Sequence, residues 1–290
     1  MSFDADWLAL RAAADSESRA RALERLLAEH LRGRRRARLE IVDLGAGTGS
    51  NLRYLAPRLA PLAGGRQRWT LVDADPELLA DAPERLRSWA DGQGLAVDRT
   101  DAGLRLQGAE LDLEVATRQA DLAQDPLPVE GADLVAGSAL LDLVSEAWLA
   151  ALADRLRGAN AAALFALSYD GRAAWQPPVA GDAEVRSLVN RHQRTDKGFG
   201  PALGPEAAAT ATALFEARGL TVEQAQSDWR LGPQAQSLQQ HLHAGWAAAA
   251  SEIAPHRADA IQAWLAQRID LLESGQGQVT VGHLDVLVLP

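Results

Sequence analysis

Between Asp43 and Gly49 the chain reads Asp-Leu-Gly-Ala-Gly-Thr-Gly, one acid followed by three glycines at alternate positions. Gly45, Gly47 and Gly49 permit positive φ and let the backbone come close to a ligand beside the start of a helix. A dinucleotide loop, G-x-G-x-x-G, would need its third glycine at position 50, which is Ser50. An acid two residues before the first glycine would repel a pyrophosphate. It can accept bonds from a cationic ligand or an ordered water, so the chemistry expected here is nucleoside binding. Further acids follow at intervals, among them Asp73, Asp75 and Asp121. Taken singly, each reads as a turn or helix-cap residue.

The elements around these residues alternate. Apolar spacing predicts a helix from Asp4 to Leu31, ending at Gly33. Leu39 to Leu44, almost uniformly apolar, reads as a strand buried on both faces of a parallel sheet. Asn51 to Leu62 is a helix, Arg68 to Asp73 a strand, and Pro76 to Ala90 a helix with proline at its start. Gly103 to Ala116 alternates apolar and polar around Gly108, as a hairpin whose second arm is the third core strand. Ala132 to Ala136 and Ala161 to Ser168 are strands flanking a helix from Glu146 to Leu156. The alternation implies a right-handed, doubly wound α/β sheet. Gly171 to Pro205 is rich in Gly and Pro without clear periodicity. A helix from Pro205 to Arg218, a strand from Leu220 to Trp229, helical patterns from Pro233 to Glu273 and a strand from Gln278 to Leu289 complete the chain.

With 290 residues, 47% hydrophobic and 23% charged, the chain is ample for a buried core. Its 39 acidic and 29 basic side chains give a net charge of -10, which repels polyphosphates and disfavours general nucleic-acid binding. The one dense basic run, Arg32 to Arg38, reads as a solvated linker. No cysteine is present, so disulfides, thiolate metal sites and cysteine nucleophiles are excluded. The N-terminus is acidic without an apolar core of a signal, and no stretch approaches the roughly 18 apolar residues of a membrane span. A cytoplasmic protein without membrane partners is expected. His241 and His243, two apart on a helix, cannot share a face, so no metal site is expected from them.

The spacing D-x-G-x-G-x-G resembles the first motif of the class I S-adenosylmethionine-dependent methyltransferases. Leu71 to Leu79 (LVDADPELL), Gln119 to Leu122 (QADL) and Asp133 to Asp142 (DLVAGSALLD) are similar to the family's later strand-end motifs, in order. The resemblance covers roughly Leu39 to Ser168. It implies S-adenosylmethionine as methyl donor and S-adenosylhomocysteine as product. It implies donor contacts from Asp43, Gly45, Ala46, Gly47, Gly49, Asp73, Ala74, Asp121, Leu122 and Ser138. Asp73 would take the ribose hydroxyls and Asp121 the adenine amino group, with the adjacent backbone N–H at the ring. Asp75 would be the helix N-cap. The resemblance further implies a seven-stranded, mostly parallel sheet with an antiparallel last strand, Gln278 to Leu289, beside the strand at Leu220 to Trp229. Residues 1–38 would be a helical cap and basic linker, and 39–290 the methyltransferase domain with insertions at 171–205 and 233–277.

Methyl transfer from a sulfonium needs alignment and exclusion of water, and a base only where the acceptor must lose a proton. Ser138 to Asp142 stands where nucleic-acid amine methylases carry an Asn/Asp-Pro-Pro-aromatic run. A small-molecule acceptor is therefore the leading expectation, with a non-catalytic donor-binding subunit or an RNA methyltransferase using Arg32 to Arg38 as alternatives. The polar run Asn190 to Pro201 gathers a candidate base, His192, and two cations suited to a carboxylate or phosphate, Arg194 and Lys197. It reads either as an acceptor loop over the donor or as a solvated crossover. Tyr169 is a second candidate for catalysis and Asp142 for acceptor binding, by position. Trp7, Trp175, Trp229 and Trp246 would line an aromatic acceptor site or fill the core.

Overall fold

The structure, a computed structural model, describes residues 5–34 and 36–290. The single N-terminal helix expected from the sequence is two, α1 (Ala5–Ser18) and α2 (Arg21–Gly33). Asp4, where that helix was expected to start, and Arg35 of the basic run lie outside the described residues. The helix breaks because a distant carboxylate holds the residues between. Ala20 N–H donates to Asp285 Oδ2 at 2.9 Å, and the buried Arg19 Nε lies 3.8 Å from the same oxygen.

Strand β1 (Leu39–Leu44) is buried on both faces, as its largely apolar sequence leads one to expect. Leu39 and Ile41 pack into one layer of helices, Val42 and Leu44 into the other. The period of two places Asp43 on the side of Leu39 and Ile41. The chain continues through α3 (Ser50–Leu59), β2 (Arg66–Asp73), α4 (Pro76–Gln93), β3 (Ala96–Thr100), β4 (Gly103–Gln107), β5 (Asp112–Gln119), β6 (Leu134–Ser138), α5 (Glu146–Ala159) and β7 (Ala162–Gln176). It closes with α6 (Asp182–His192), α7 (Ala207–Glu216), β8 (Thr221–Gln226), β9 (Trp229–Leu231), α8 (Gln236–Ile253), α9 (Ala258–Glu273) and β10 (Gln278–Leu289).

These strands form one sheet in the order β3, β4, β5, β2, β1, β6, β7, β10, β8, with β9 also paired to β10. The five from β5 to β7 are parallel, and β10 runs antiparallel to both neighbours, β7 and β8. The seven expected strands are present, the last of them antiparallel. To them the hairpin adds its first arm, β4, and two short strands, β3 and β9, extend the sheet. Strand β3 is exposed almost throughout, so no apolar face marks it in the sequence. The strand expected from Leu220 to Trp229 divides at Ser227 and Asp228, where Asp228 Oδ1 accepts from His283 N–H and from Arg172 Nη2.

The segment read as lacking periodicity, 171–205, holds the end of β7 and the helix α6, whose Val185, Leu188 and Val189 are buried. These pack with α8, β9 and the start of β10 into a third core containing Trp175, Trp229, Trp246 and Trp264. Asp182 at the start of α6 ties this layer to α9, accepting from Trp264 Nε1 at 2.8 Å and pairing with the buried Arg268. The basic run is exposed at Arg32, Arg36 and Ala37, and several of its charges are paired. Arg34 and Arg36 face Asp133, and Arg38 bridges Glu40 and Glu114, at the edge of the sheet where β1 and β6 begin. No helix among the described residues is long and apolar enough to cross a membrane.

Candidate functional site

At the carboxyl ends of the parallel strands lies a cavity of about 340 Å³. Its floor is built from four successive strand ends: Gly45, Ala46 and Gly47 after β1, Asp73 and Ala74 after β2, Asp121 and Leu122 after β5, and Ser138 to Leu140 after β6. Leu8, Arg11 and Asp15 of α1 form one wall, and Lys197, Gly198 and Phe199 another. Open α/β sheets bind ligands at this edge because the loops there splay apart.

The glycine loop is shaped by its neighbours. At Gly47 (φ +52) an added Cβ would stand 3.0 Å from Leu8 Cδ1, so α1 rests directly on the loop. Gly49 (φ +76) is the N-cap of α3, and a Cβ there would meet Leu71 Cδ1 at 3.2 Å. Gly49 therefore turns the chain and does not line the cavity. The Asp73 carboxylate holds the loop in place: Oδ2 accepts from Gly47 N–H at 2.7 Å and Oδ1 from Asp75 N–H at 3.0 Å. Each oxygen keeps a further lone pair for a partner in the cavity. Asp75 is the N-cap of α4, accepting from Glu77 N–H and Leu78 N–H. Asp121 is exposed; its Oδ1 accepts from Ala123 N–H at 2.9 Å, and its own N–H donates to Asp125 Oδ2 at 2.8 Å.

Asp43 lies fully buried behind the loop. Its Oδ1 accepts from Asn51 Nδ2 at 2.8 Å, Asn51 Oδ1 accepts from Arg19 Nη1 at 2.9 Å, and Asp43 Oδ2 has no partner. Burial pushes the Asp43 carboxyl up to about 6, with the Asn51 hydrogen bond and the Arg19 charge opposing. An orphaned buried oxygen behind a cradle of backbone is what a ligand carrying positive charge, or its bridging water, would satisfy.

On the far wall, Asp196 Oδ1 accepts from Gly198 N–H and Gly200 N–H, folding the loop so that Phe199 meets Trp148 edge-on at 5.6 Å. Lys197 Nζ lies 3.0 Å from Thr195 Oγ1 and 3.3 Å from His192 Nδ1, and burial lowers its pKa. Of the polar run, Lys197 thus reaches the cavity. His192 itself turns its Nε2 to Glu252 at 3.0 Å, and Arg194 pairs with Glu206 at the surface; neither lines the cavity. Tyr169 is buried and donates its hydroxyl to Asn190 Oδ1 at 2.7 Å, and burial holds its phenol proton well above the usual range. Although its neighbour Leu143 lines the cavity, Asp142 is buried and does not line it. Its Oδ1 is unpartnered, and burial pushes its carboxyl up to about 6. Trp175, Trp229 and Trp246 belong to the third core, and Trp7 stacks at 6.5 Å on His241. Among the described residues no group of His, Asp and Glu could hold a metal ion.

Three contributors escaped the sequence. Arg11 and Asp15, joined bidentately at 2.9 and 3.2 Å, reach the cavity with Arg11 over the Trp229 ring at 5.0 Å. Their i,i+4 spacing was visible, but it is shared by many exposed helix pairs. Asn51 carries no mark that separates it from an ordinary first-turn residue.

No family model matches this sequence, and no curated protein does. Among solved structures, the chain is similar to a cyclopropane synthase of Mycobacterium tuberculosis, with 10% identity over 93% of this chain and 83% of that one, and a TM-score of 0.48. It is similar to a SAM-dependent methyltransferase of Thiobacillus denitrificans solved with S-adenosyl-L-homocysteine, with 15% identity over the whole of both chains and a TM-score of 0.44. A third is a geranyl diphosphate methyltransferase solved with SAM, with 10% identity over 92% of this chain and 84% of that one, and a TM-score of 0.42.

Proposed function

We propose that the protein is a methyltransferase that takes its methyl group from S-adenosylmethionine and passes it to a small molecule. The observation that carries this reading is the convergence of the glycine loop, Asp73 and Asp121 on one cavity, with Asp73 bonded to the loop at Gly47. Loop and acids come from successive strand ends, and the cavity's volume suits a nucleoside-sized ligand.

When bound, S-adenosylmethionine supplies a methyl group on a positively charged sulfur. Asp73 offers two carboxylate oxygens to the ribose diol, as ribose binders do. Asp121 accepts from the adenine amino group while Leu122 packs on the ring. Asp43 and the backbone of Gly45 to Gly47, with Ser138, hold the amino-acid end and its charge. Leu8 and Phe199 exclude water from the reacting centre, so that in-line transfer proceeds by alignment. Tyr169 keeps its proton on the Asn190 side and His192 is engaged with Glu252, so both position neighbouring elements. The acceptor approaches along the wall of Leu140, Leu143, Lys197 and Phe199.

Thermal unfolding with S-adenosylmethionine, S-adenosylhomocysteine and NAD tests this reading. A ligand at about 100 times its dissociation constant adds about 2.7 kcal/mol, which moves the midpoint of a chain this long by a few degrees. Shifts with the first two and none with NAD are expected. No shift with either, or an equal one with NAD, would overturn it.

A further inference from the structure

A second cavity, of about 320 Å³, adjoins the first and shares Asp15, Ser50, Asn51 and Ser138 with it. Three guanidinium groups line it: Arg19, Arg53 and Arg58. One carboxylate does, Asp15, and that is already bound bidentately by Arg11 and by Trp229 Nε1. The contrast with the cavity at the opposite edge of the sheet is direct. There four arginines meet four carboxylates, with Arg38 on Glu40 and Glu114 and Arg105 on Asp112.

Arg58 is engaged, 3.6 Å from Glu24 and donating to the Tyr54 carbonyl, but the other two cations of the second cavity are under-used. Arg19 is buried, its side chain 3% exposed; Nη1 donates to Asn51, Nε lies 3.8 Å from Asp285, and Nε and Nη2 have no hydrogen-bond partner. Arg53 donates to the Thr48 carbonyl at 2.7 Å and, among the described residues, pairs with no carboxylate. Burial and Arg85 bring it down to about 10, so it remains a cation at neutral pH. The start of α3 adds to this field. Its N-cap is Gly49, which has no side chain to cap it, and Ser50 lines both cavities. Free N–H groups at a helix start, a guanidinium group without a carboxylate (Arg53) and guanidinium N–H groups without a hydrogen-bond partner (Arg19) together attract oxyanions.

We propose that this second cavity is an oxyanion site, taking the carboxylate or phosphate of a small molecule that also reaches the first cavity. Two sources carry that chemistry, an acidic methyl acceptor and the carboxylate of the donor itself. The choice between them rests on the donor reading above, whereas the oxyanion chemistry does not.

The test uses the full chain and inorganic phosphate, followed by thermal unfolding at constant ionic strength with chloride as the balancing ion. A saturable phosphate shift is expected, weakened at least tenfold in Arg53→Gln, which lies outside the donor contacts. Arg19→Met serves as a second variant if it folds. A shift no larger than that of chloride, or one unchanged in Arg53→Gln, overturns the proposal. Titrations of S-adenosylhomocysteine and of 5′-methylthioadenosine, which lacks the amino-acid end, then separate the sources. Competition with phosphate by the first alone assigns the site to the donor carboxylate. Simultaneous binding of S-adenosylhomocysteine and phosphate assigns it to an acidic acceptor. Phosphate binding with neither nucleoside bound would leave the oxyanion site standing and remove the donor reading.

Discussion

The Asp73 carboxylate and the Gly47 amide are joined by a 2.7 Å hydrogen bond, so the end of β2 and the glycine loop are one rigid piece. The acid is thereby oriented before any ligand arrives, and ligand ordering costs less.

Replacing Asp73 by Asn keeps one oxygen for Gly47 and removes the charge. S-adenosylhomocysteine affinity is expected to fall at least tenfold, since each charge-assisted bond contributes roughly 1.5–3 kcal/mol. Calorimetric titration reads the affinity and thermal unfolding the stability. Unaltered affinity would refute the ribose assignment.

Gly47→Ala brings a Cβ to 3.0 Å from Leu8 Cδ1 at a φ that L side chains rarely adopt. The strain costs about 1–3 kcal/mol, and the loop or α1 must shift. Denaturant unfolding should show that loss together with weaker ligand binding; the double variant with Leu8→Ala should recover part of the stability by relieving the contact.

Asp196 holds the Lys197 to Phe199 wall through two amides, Gly198 and Gly200. Asp196→Ala is expected to speed hydrogen exchange at those amides at least tenfold while leaving the unfolding midpoint within a few degrees. Protection that persists in the variant would mean that Phe199 packing on Trp148 alone fixes the loop.

Buried His243 accepts from Trp175 Nε1 at 3.0 Å, and burial takes it down to about 4 from an ordinary 6.5. The unfolded chain binds the proton more readily, so the His243 contribution is full above about 6.5 and is lost as pH falls toward 4. His243→Gln, which still offers an acceptor, should gain on the parent by up to about 3 kcal/mol between pH 7 and pH 4. Asp142 has the opposite sign. Held near 6 against 3.8, its contribution is present at low pH and is lost as pH rises through 6, so Asp142→Asn should gain on the parent between pH 4 and pH 7. Urea unfolding at three pH values separates the two; parallel pH profiles of variant and parent would contradict both.

The sheet was legible because burial on two faces leaves a strong trace: β1 is nearly all apolar, and β4 with β5 alternates cleanly around its turn. The glycine-loop side of the cavity was legible because backbone geometry restricts residue type, as at Gly47 and Gly49. The other walls were not. Arg11 and Phe199 act through contacts made across long stretches of chain, and nothing in their local spacing distinguishes them from solvent-facing neighbours. The Ala- and Arg-rich stretch around Arg19 carries no helix-breaking residue, although the helix ends there for reasons lying in β10. Strand β3 and helix α6 were hidden for a simpler reason, an exposed edge in one case and a setting rich in Gly and Pro in the other.

The bond from Ala20 to Asp285 spans 265 positions, and Asp285 also accepts from Leu167 N–H at 2.8 Å. The placement of β10 between β7 and β8, and the anchoring of the turn between α1 and α2, both rest on contacts between residues far apart in the sequence. Loop closure on that scale slows folding. A nascent chain lacking β10 would present an open strand edge on β7, a template for pairing with other chains.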